Sequence, residues 1–328
     1  MGEICDGTRK EGQPDPSSSA AFLRWRILRR ALLPTSGKLC DDELVKVSRV
    51  PAGRYNLLHC HQVVSSQLIN SDTKARRDVL LEYTLPSSKN DLKKLLLWQR
   101  ANDHNNPQNL IAFQEHHVDY TGVVCLWPAE EVLTHFCVSN PEIFRGKHVI
   151  EIGAGYGLGG LAIAAWTNAL AVTISDGNPM VVDYINCNIS ANAHAFGATE
   201  VSAALLDWST EDALSERKFD VIVGADCTFR KELHLDLAHT IKRLLDASEG
   251  SHAILFSPSR GASLETFVEV AKTLLLHVDI CMMYDTQVWD LHQQYLGPDK
   301  QLWPNYDDDH CYPLLVSISN KRNLNIRT

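Results

Sequence analysis

The chain has 328 residues, of which 45% are hydrophobic and 22% charged, and its formal net charge is −9 at pH 7. These values are typical of a globular protein with one large or two modest domains, and they exclude wholesale disorder and fibrous repeats. No stretch approaches the ~18 uninterrupted apolar residues of a membrane span, and the acidic balance argues against nonspecific nucleic-acid binding.

The charge is divided unevenly along the chain. Residues 1–120 have a net charge of +3, whereas residues 121–328 have a net charge of −12. Residues 1–20 have the composition of a disordered tail. Residues 22–33 predict a helix in which four arginines alternate with apolar side chains. Such a helix packs on its own domain, contacts an acidic partner or lies on a membrane, and the sequence leaves these three readings open.

Residues 21–120 are predicted to form an N-terminal α+β extension with a possible role in substrate docking. Strands are predicted at residues 55–64 and 78–85, and the polar residues 87–109 predict a loop. Residues 110–127 predict extended structure.

From residue 128 onward, helical and strand-like segments alternate. Pro128 begins a helix whose first turn contains Glu130 and Glu131, as the helix dipole favours. Strands are predicted at 148–152, 170–175, 200–206, 219–225, 252–257, 277–283 and 313–317, and helices at about 158–167, 178–194, 232–246 and 262–275. This alternation predicts an α/β domain over residues 121–328, with a Rossmann-like, doubly wound, mostly parallel sheet of seven strands and helices on both faces.

A glycine-rich segment follows the first predicted strand of this domain. Gly153, Gly155 and Gly157 come directly after Glu151, and Gly160 completes the spacing of a dinucleotide fingerprint. Glycines allow a ligand to approach the backbone closely, and a helix N-terminus presents free N–H groups. The glycines alone do not choose between cofactors, and a purely structural tight turn is the alternative.

Acidic and aromatic residues follow the next three predicted strands. Asp176 lies ~20 residues beyond the glycines, where an acid holds a ribose diol in nucleotide sites. Asp207 and Trp208 form an acid–aromatic pair suited to adenine, and Asp226 and Phe229 follow the fourth strand. A turn aspartate and a core tryptophan are the plainer interpretations of single positions. Because ligands of open α/β sheets bind outside the carboxyl ends of strands, we predict one shared crevice.

In this order, these residues resemble the seven-strand S-adenosylmethionine-dependent methyltransferases, and within them the protein-lysine branch. Motifs that begin at Cys125, Ala225, Ser257 and Tyr312 are most similar to those of the calmodulin-lysine N-methyltransferases. The resemblance covers about residues 110–320. It implies that the cofactor is S-adenosyl-L-methionine and that the substrate is a lysine side chain of a protein, with calmodulin as the best match. It implies no metal, nucleic-acid or membrane partner.

The resemblance also implies roles for single residues. The implied cofactor-binding residues are Trp127, Glu151, Gly153, Ala154, Gly155, Asp176, Asp207, Trp208 and Ala225. Among them, Glu151 orients the glycine loop or the cofactor's amino group, and Trp127 closes the pocket. Asp226 and Phe229 are the implied catalytic residues, which shape the channel for the target lysine. The reaction is an in-line displacement that needs a neutral amine at ~3–3.5 Å from the methyl group.

Two other functions stay open on the sequence. The glycine fingerprint also permits an NAD-type dinucleotide-dependent oxidoreductase, and a non-catalytic calmodulin-binding module on the same fold is the third hypothesis. Nine irregularly spaced cysteines, with no Cys-x-x-Cys pair, favour a reducing compartment, so we expect the protein in the cytoplasm and nucleus.

Overall fold

The computed structural model describes residues 55–63, 78–85, 93–100, 126–210, 214, 216–297, 303 and 306–320. The predicted tail, the arginine-rich helix at 22–33 and most of the extended segment at 110–127 lie outside these residues. None of the helices in the described ranges has the length and apolar character needed to cross a membrane.

Three strands of the N-terminal extension form a small antiparallel sheet. They are β1 (His59–Gln62), β2 (Asp78–Leu85) and β3 (Lys93–Arg100), paired in this order. The first two confirm the prediction, whereas β3 shows that the predicted loop at 87–109 is wrong over this stretch. Leu95 and Leu97 alternate with less buried residues and are fully buried, so one face of β3 belongs to the core.

The larger sheet has seven strands, and each one overlaps a predicted strand. They are β4 (His148–Glu151), β5 (Ala171–Asp176), β6 (Glu200–Leu205), β7 (Val221–Ala225), β8 (His252–Ser257), β9 (His277–Cys281) and β10 (Leu314–Ser319). Their order is β6-β5-β4-β7-β8-β10-β9, and only β10 runs antiparallel to its neighbours. The predicted fold class is therefore confirmed.

Helices cover both faces of this sheet. They are α1 (Pro128–Ser139), α2 (Leu158–Trp166), α3 (Pro179–Asn192), α4 (His234–Leu244), α5 (Ser263–Thr273), α6 (Thr286–Leu296) and the single turn α7 (Asp308–Cys311). Neighbouring strand residues alternate between two cores: Val149 packs with α1, α2 and α3, and Ile150 packs with α4 and α5. Both faces of the central strands are buried, which explains their continuous apolar sequences.

Two asparagines of α3 complete the free edge of β3. The side-chain amide of Asn192 accepts the Leu96 N–H at 2.8 Å and donates to the Leu96 carbonyl at 2.7 Å. Asn188 does the same for Trp98, at 2.7 and 3.3 Å. Four residues along a helix rise ~6.0 Å and two along a strand ~6.8 Å, so the spacings match. The two fully buried amides hold the small sheet in one register on α3.

The same helix joins the small sheet to the glycine-rich segment. Asn188 Nδ2 also donates to the carbonyl of Tyr156 at 3.1 Å, and the Tyr156 hydroxyl accepts the Arg100 N–H at 3.2 Å. Tyr184 of α3 donates its hydroxyl to Asp78 of β2 at 2.6 Å. The extension therefore packs directly behind the segment that carries the predicted site.

Candidate active site

The glycine loop lies between the end of β4 and the start of α2. Gly153, Gly155 and Gly157 have φ angles of 61°, 54° and 79°, in the left-handed region that favours glycine. A Cβ atom on Gly153 would lie 3.1 Å from the Cys227 sulfur and 3.3 Å from Cζ2 of Trp208. The loop is thus in close contact with the residues that follow β6 and β7, as the shared crevice requires.

Asp176 ties the end of β5 to this loop. Its Oδ2 accepts the Gly155 N–H at 3.1 Å, and its Oδ1 accepts the Asn178 N–H at 2.9 Å. The side chain is only partly buried, and each carboxylate oxygen can accept a second hydrogen bond. Asp176 therefore shapes the loop from a partly exposed position at the strand end.

The two residues of the acid–aromatic pair after β6, Asp207 and Trp208, have different positions relative to the glycine loop. The half-buried Trp208 places its ring beside Gly153. Asp207 is exposed, and its Oδ1 accepts both the N–H and the hydroxyl of Ser209, at 2.9 and 2.7 Å. Trp208 is therefore part of the loop wall, whereas Asp207 lies at the open rim of the same strand end.

Glu151 is completely buried beneath the loop. Its Oε2 accepts the Gly160 N–H at 2.8 Å, and Glu130 of α1 accepts the neighbouring Gly159 N–H at 2.7 Å. The two carboxyl groups also contact each other, and burial raises the pKa of Glu151 well above its ordinary value and that of Glu130 to about 7. Of the two roles implied for Glu151, these contacts support orientation of the loop.

We expect Glu130→Gln to make stability less dependent on pH. A folded-state pKa near 7 lies above the ordinary value of 4.5, so the wild type loses stability as pH rises through this interval. Glutamine keeps an acceptor for Gly159 and does not ionise. Unfolding by denaturant at pH 5.5 and pH 8 should show a smaller difference for the variant, by on the order of 2 kcal/mol. The exposed Glu142→Gln is the matched control and should retain the wild-type difference.

Three further residues implied by the resemblance line the surroundings of the loop. Trp127, which is partly exposed, directly precedes α1, and its carbonyl accepts the Glu130 N–H at 3.0 Å. Glu130, which bonds to this carbonyl, also accepts the Gly159 N–H at the start of α2. Ala154 is buried and donates its N–H to Ser175 at 3.0 Å, and the partly exposed Ala225 ends β7 beside the crevice.

Asp226 and Phe229 follow β7 on the far side of the crevice. Asp226 has a φ of 55° and is buried, and Phe229 is partly exposed three residues later. Both oxygens of Asp226 accept hydrogen bonds from the guanidinium of Arg260. Arg260 lies in the sequence motif at 257–261, but the sequence did not predict this contact. Glu130 is a second site residue that the sequence did not predict, because its only predicted role was to stabilise the dipole of α1.

Comparison with known proteins places this geometry in a family. Residues 105–273 match the family model described as lysine methyltransferase. The calmodulin-lysine N-methyltransferase of Arabidopsis thaliana is 48% identical over 94% of this chain and 99% of its own length. The chain belongs to the lysine methyltransferase family. This methyltransferase therefore acts on lysine with S-adenosylmethionine as methyl donor, and the dinucleotide oxidoreductase is excluded.

Other relatives match a smaller part of this methyltransferase. The protein-lysine N-methyltransferase EEF2KMT of Mus musculus is 31% identical over 40% of this chain and 42% of its own length. The protein N-lysine methyltransferase METTL21A of Danio rerio is 32% identical over 40% and 58%. A methyltransferase structure from Pyrococcus furiosus has a TM-score of 0.42 at 15% identity, over 65% of this chain and 93% of that one.

The residues of this methyltransferase fit S-adenosylmethionine. The glycine loop exposes backbone at the carboxyl end of β4 and packs on Cys227 and Trp208 where a side chain would collide, and the Asp176 carboxylate lies beside the Gly155 N–H at the partly exposed end of β5. In the part of the chain that the structure describes, no group of three or more His, Cys, Asp or Glu side chains has the arrangement of a metal site.

We expect Asp176→Ala to weaken S-adenosylmethionine binding by at least about tenfold. Each hydrogen bond to a charged group contributes ~1.5–3 kcal/mol, and the variant also frees the Gly155 N–H. Titration calorimetry gives the affinity. Asp246→Ala is the control, because Asp246 accepts a backbone N–H in an exposed turn after α4. An unchanged affinity in a folded Asp176 variant would remove this residue from the cofactor site.

Proposed function

We propose that the substrate of this enzyme is calmodulin, and that a lysine side chain of calmodulin receives the methyl group. The observation that carries this proposal is the extent of the Arabidopsis match, which covers 94% of this chain and therefore includes most of the extension. The mouse protein-lysine N-methyltransferase EEF2KMT aligns over only 40% of this chain. The family model matches residues 105–273, whereas the Arabidopsis match also includes most of the extension.

The position of the extension supports a role in binding the substrate. Its Leu57 and Leu58 donate their N–H groups to Glu131 of α1, at 2.7 and 3.3 Å. Tyr55 donates its hydroxyl to the Cys311 carbonyl at 3.1 Å, next to the strand ends of the site. The net charge of +3 over residues 1–120 favours an acidic partner, whereas the remaining residues would repel one. The arginine-rich segment at 22–33, which lies outside the described residues, contributes to this charge.

In this proposal the chain's own residues position the cofactor and the lysine amine and exclude water from them. When bound, S-adenosylmethionine supplies an electrophilic methyl group. The glycine loop, Asp176 and Trp208 hold the cofactor, and Asp226 orients the lysine amine by accepting an N–H. Phe229 provides an apolar wall, and partial desolvation there lowers the pKa of the amine from its ordinary ~10.4 so that more of it is neutral.

Incubation of purified calmodulin with the enzyme and labelled S-adenosylmethionine tests this function. Mass spectrometry should find methyl groups on a lysine of calmodulin, and the same reaction in a cell extract should label a protein of that mass. Label on other proteins with none on calmodulin would overturn the substrate. Stable binding of calmodulin without product would favour the non-catalytic module instead.

We also propose that the enzyme works in the cytoplasm and nucleus. The described cysteines Cys137, Cys227, Cys281 and Cys311 are free thiols, which is the usual state in a reducing compartment. Cell fractionation with an antibody to the native protein tests this proposal. Recovery in a secretory compartment would contradict it.

A further inference from the structure

Asp226 and Arg260 form a two-point ion pair between the ends of neighbouring strands. Arg260 Nε donates to Asp226 Oδ1 at 2.8 Å, and the Nη2 group donates to Oδ2. Each side chain is 9% exposed, and the pair joins the loop after β7 to the loop after β8. Two parallel hydrogen bonds fix the carboxylate plane more firmly than a single contact does.

The backbone on both sides of the pair has an unfavourable conformation. Asp226, Arg260 and Ala262 have φ angles of 55°, 49° and 64°, although none of them is glycine. Residues in this region persist only where the surrounding structure holds them, and they concentrate at functional sites. The chain thus tolerates strain in two adjacent loops that meet in this ion pair.

Asp309 holds Arg260 from the other side. The Arg260 N–H donates to the Asp309 carbonyl at 2.8 Å, and the Gly261 N–H donates to the Asp309 carboxylate at 2.8 and 3.0 Å. The backbone at Arg260 is therefore held by the segment before β10, which Tyr55 of the extension also contacts at the Cys311 carbonyl.

The pair matters because of its charge. An isolated Asp226 carboxylate would favour the protonated amine, which cannot attack a methyl group. Arg260 cancels this charge, while the second lone pair of each Asp226 oxygen stays available for an amine N–H. The nearby thiols of Cys227 and Cys311 are neutral, since burial raises the pKa of both. The other carboxylates around the pair are those of Glu130, Asp176 and Glu151, which act on Cys227, that of Asp307, which acts on Cys311, and that of Asp309, which accepts the Gly261 N–H.

We propose that Arg260 is a positioning residue for lysine methylation, which fixes the Asp226 carboxylate and neutralises it so that Asp226 orients the uncharged amine. This proposal rests on the proposed function and concerns the same site. Arg260 acts through Asp226, so its removal and the removal of Asp226 should disturb the reaction in opposite electrostatic directions.

The test is the pH dependence of kcat for calmodulin in full-length Arg260→Gln, Asp226→Asn and the double variant. The rise of kcat with pH should move up by about one unit in Arg260→Gln, because the free carboxylate favours the protonated amine. It should move down in Asp226→Asn, where Arg260 is left unpaired, and return to the wild-type position in the double variant. We also expect kcat of Arg260→Gln to fall by roughly 100-fold with S-adenosylmethionine affinity within twofold of wild type.

Arg145→Gln is the matched control, since Arg145 forms the same two-point pair with Glu142 on the exposed surface before β4. It should leave kcat and its pH dependence unchanged. If Arg260→Gln does not fold, Asp226→Asn and the double variant still test the proposal. Their kcat profiles should differ in pH by the amount that Asp226→Asn is expected to move from the wild type. Coincident profiles would show that Arg260 is only structural.

The wild-type reaction separates this inference from the substrate proposal. If wild-type enzyme methylates calmodulin and the profiles coincide, the role of Arg260 is wrong and the substrate stands. If wild-type enzyme does not methylate calmodulin, the substrate is wrong. The same variants are then compared by the pH dependence of total label transferred to proteins of a cell extract, where opposite shifts support the role of Arg260 and coincident ones overturn it.

Discussion

Replacement of Gly153 by alanine is expected to weaken S-adenosylmethionine binding by roughly 100-fold, measured by titration calorimetry. An alanine at a φ of 61° is strained by ~1–2 kcal/mol, and its methyl group would lie 3.1 Å from the buried Cys227 sulfur and 3.3 Å from Trp208. Overpacking adds ~1–3 kcal/mol. The loop relieves both by moving out of its binding conformation, and about 3 kcal/mol corresponds to this loss of affinity.

Gly197 provides a control with the same backbone and no neighbours. Its φ is 60°, and a Cβ atom there would have nothing within 4 Å. Gly197→Ala should therefore lose ~1 kcal/mol of stability from strain alone and bind S-adenosylmethionine like the wild type. If both variants bind equally well, the contacts of Gly153 do not matter for the cofactor.

Asn188→Asp is expected to lower the free energy of unfolding by roughly 4 kcal/mol, a large effect for an isosteric change. The variant loses the donor to the carbonyls of Trp98 and Tyr156 and places a carboxylate in a fully buried position. The melting temperature should fall by roughly 6 °C. Because the destabilising species is the charged carboxylate, the deficit should shrink at pH 5 and grow toward pH 8.

Asn186→Asp is the matched control for this change. Asn186 lies on the exposed side of the same helix, where its amide contacts only the Val182 carbonyl at 3.1 Å in the described contacts. Its replacement should alter the melting temperature by no more than 1–2 °C, since exposed substitutions usually fall within ±0.5 kcal/mol. A similarly small effect at Asn188 would mean that α3 does not hold the edge of β3.

The sequence was sufficient to predict the strands whose apolar residues follow one another without interruption. All seven strands of the large sheet were predicted, and β4, β7 and β8 were the clearest, because central parallel strands are buried on both faces and read as apolar runs. β3 was missed because lysines and arginine flank its short alternating core, which makes residues 87–109 polar on average. α6 was not predicted, because only three of its residues, Val288, His292 and Tyr295, are buried.

The candidate site was predictable only where a motif is local. Glycines at fixed spacing and acids at strand ends are visible in the chain, and the structure brings Gly153, Gly155, Asp176 and Trp208 together. Glu130 and Arg260 act across gaps of 29 and 34 residues, on Gly159 and Asp226. No periodicity connects such positions, so their partners become visible only when the strands are placed side by side.

The asparagine that pairs with β3 also determines how the enzyme can be produced. Asn188, Ile189 and Ser190 have the form of an N-glycosylation site, yet both hydrogens of the Asn188 amide are used inside the fold. A glycan attached to the nascent chain would displace the helix from the small sheet, so expression through a secretory host should give misfolded material. Ser190→Ala removes the acceptor sequence and loses only an exposed hydroxyl bond to Asn186, which makes it the natural variant for such a host.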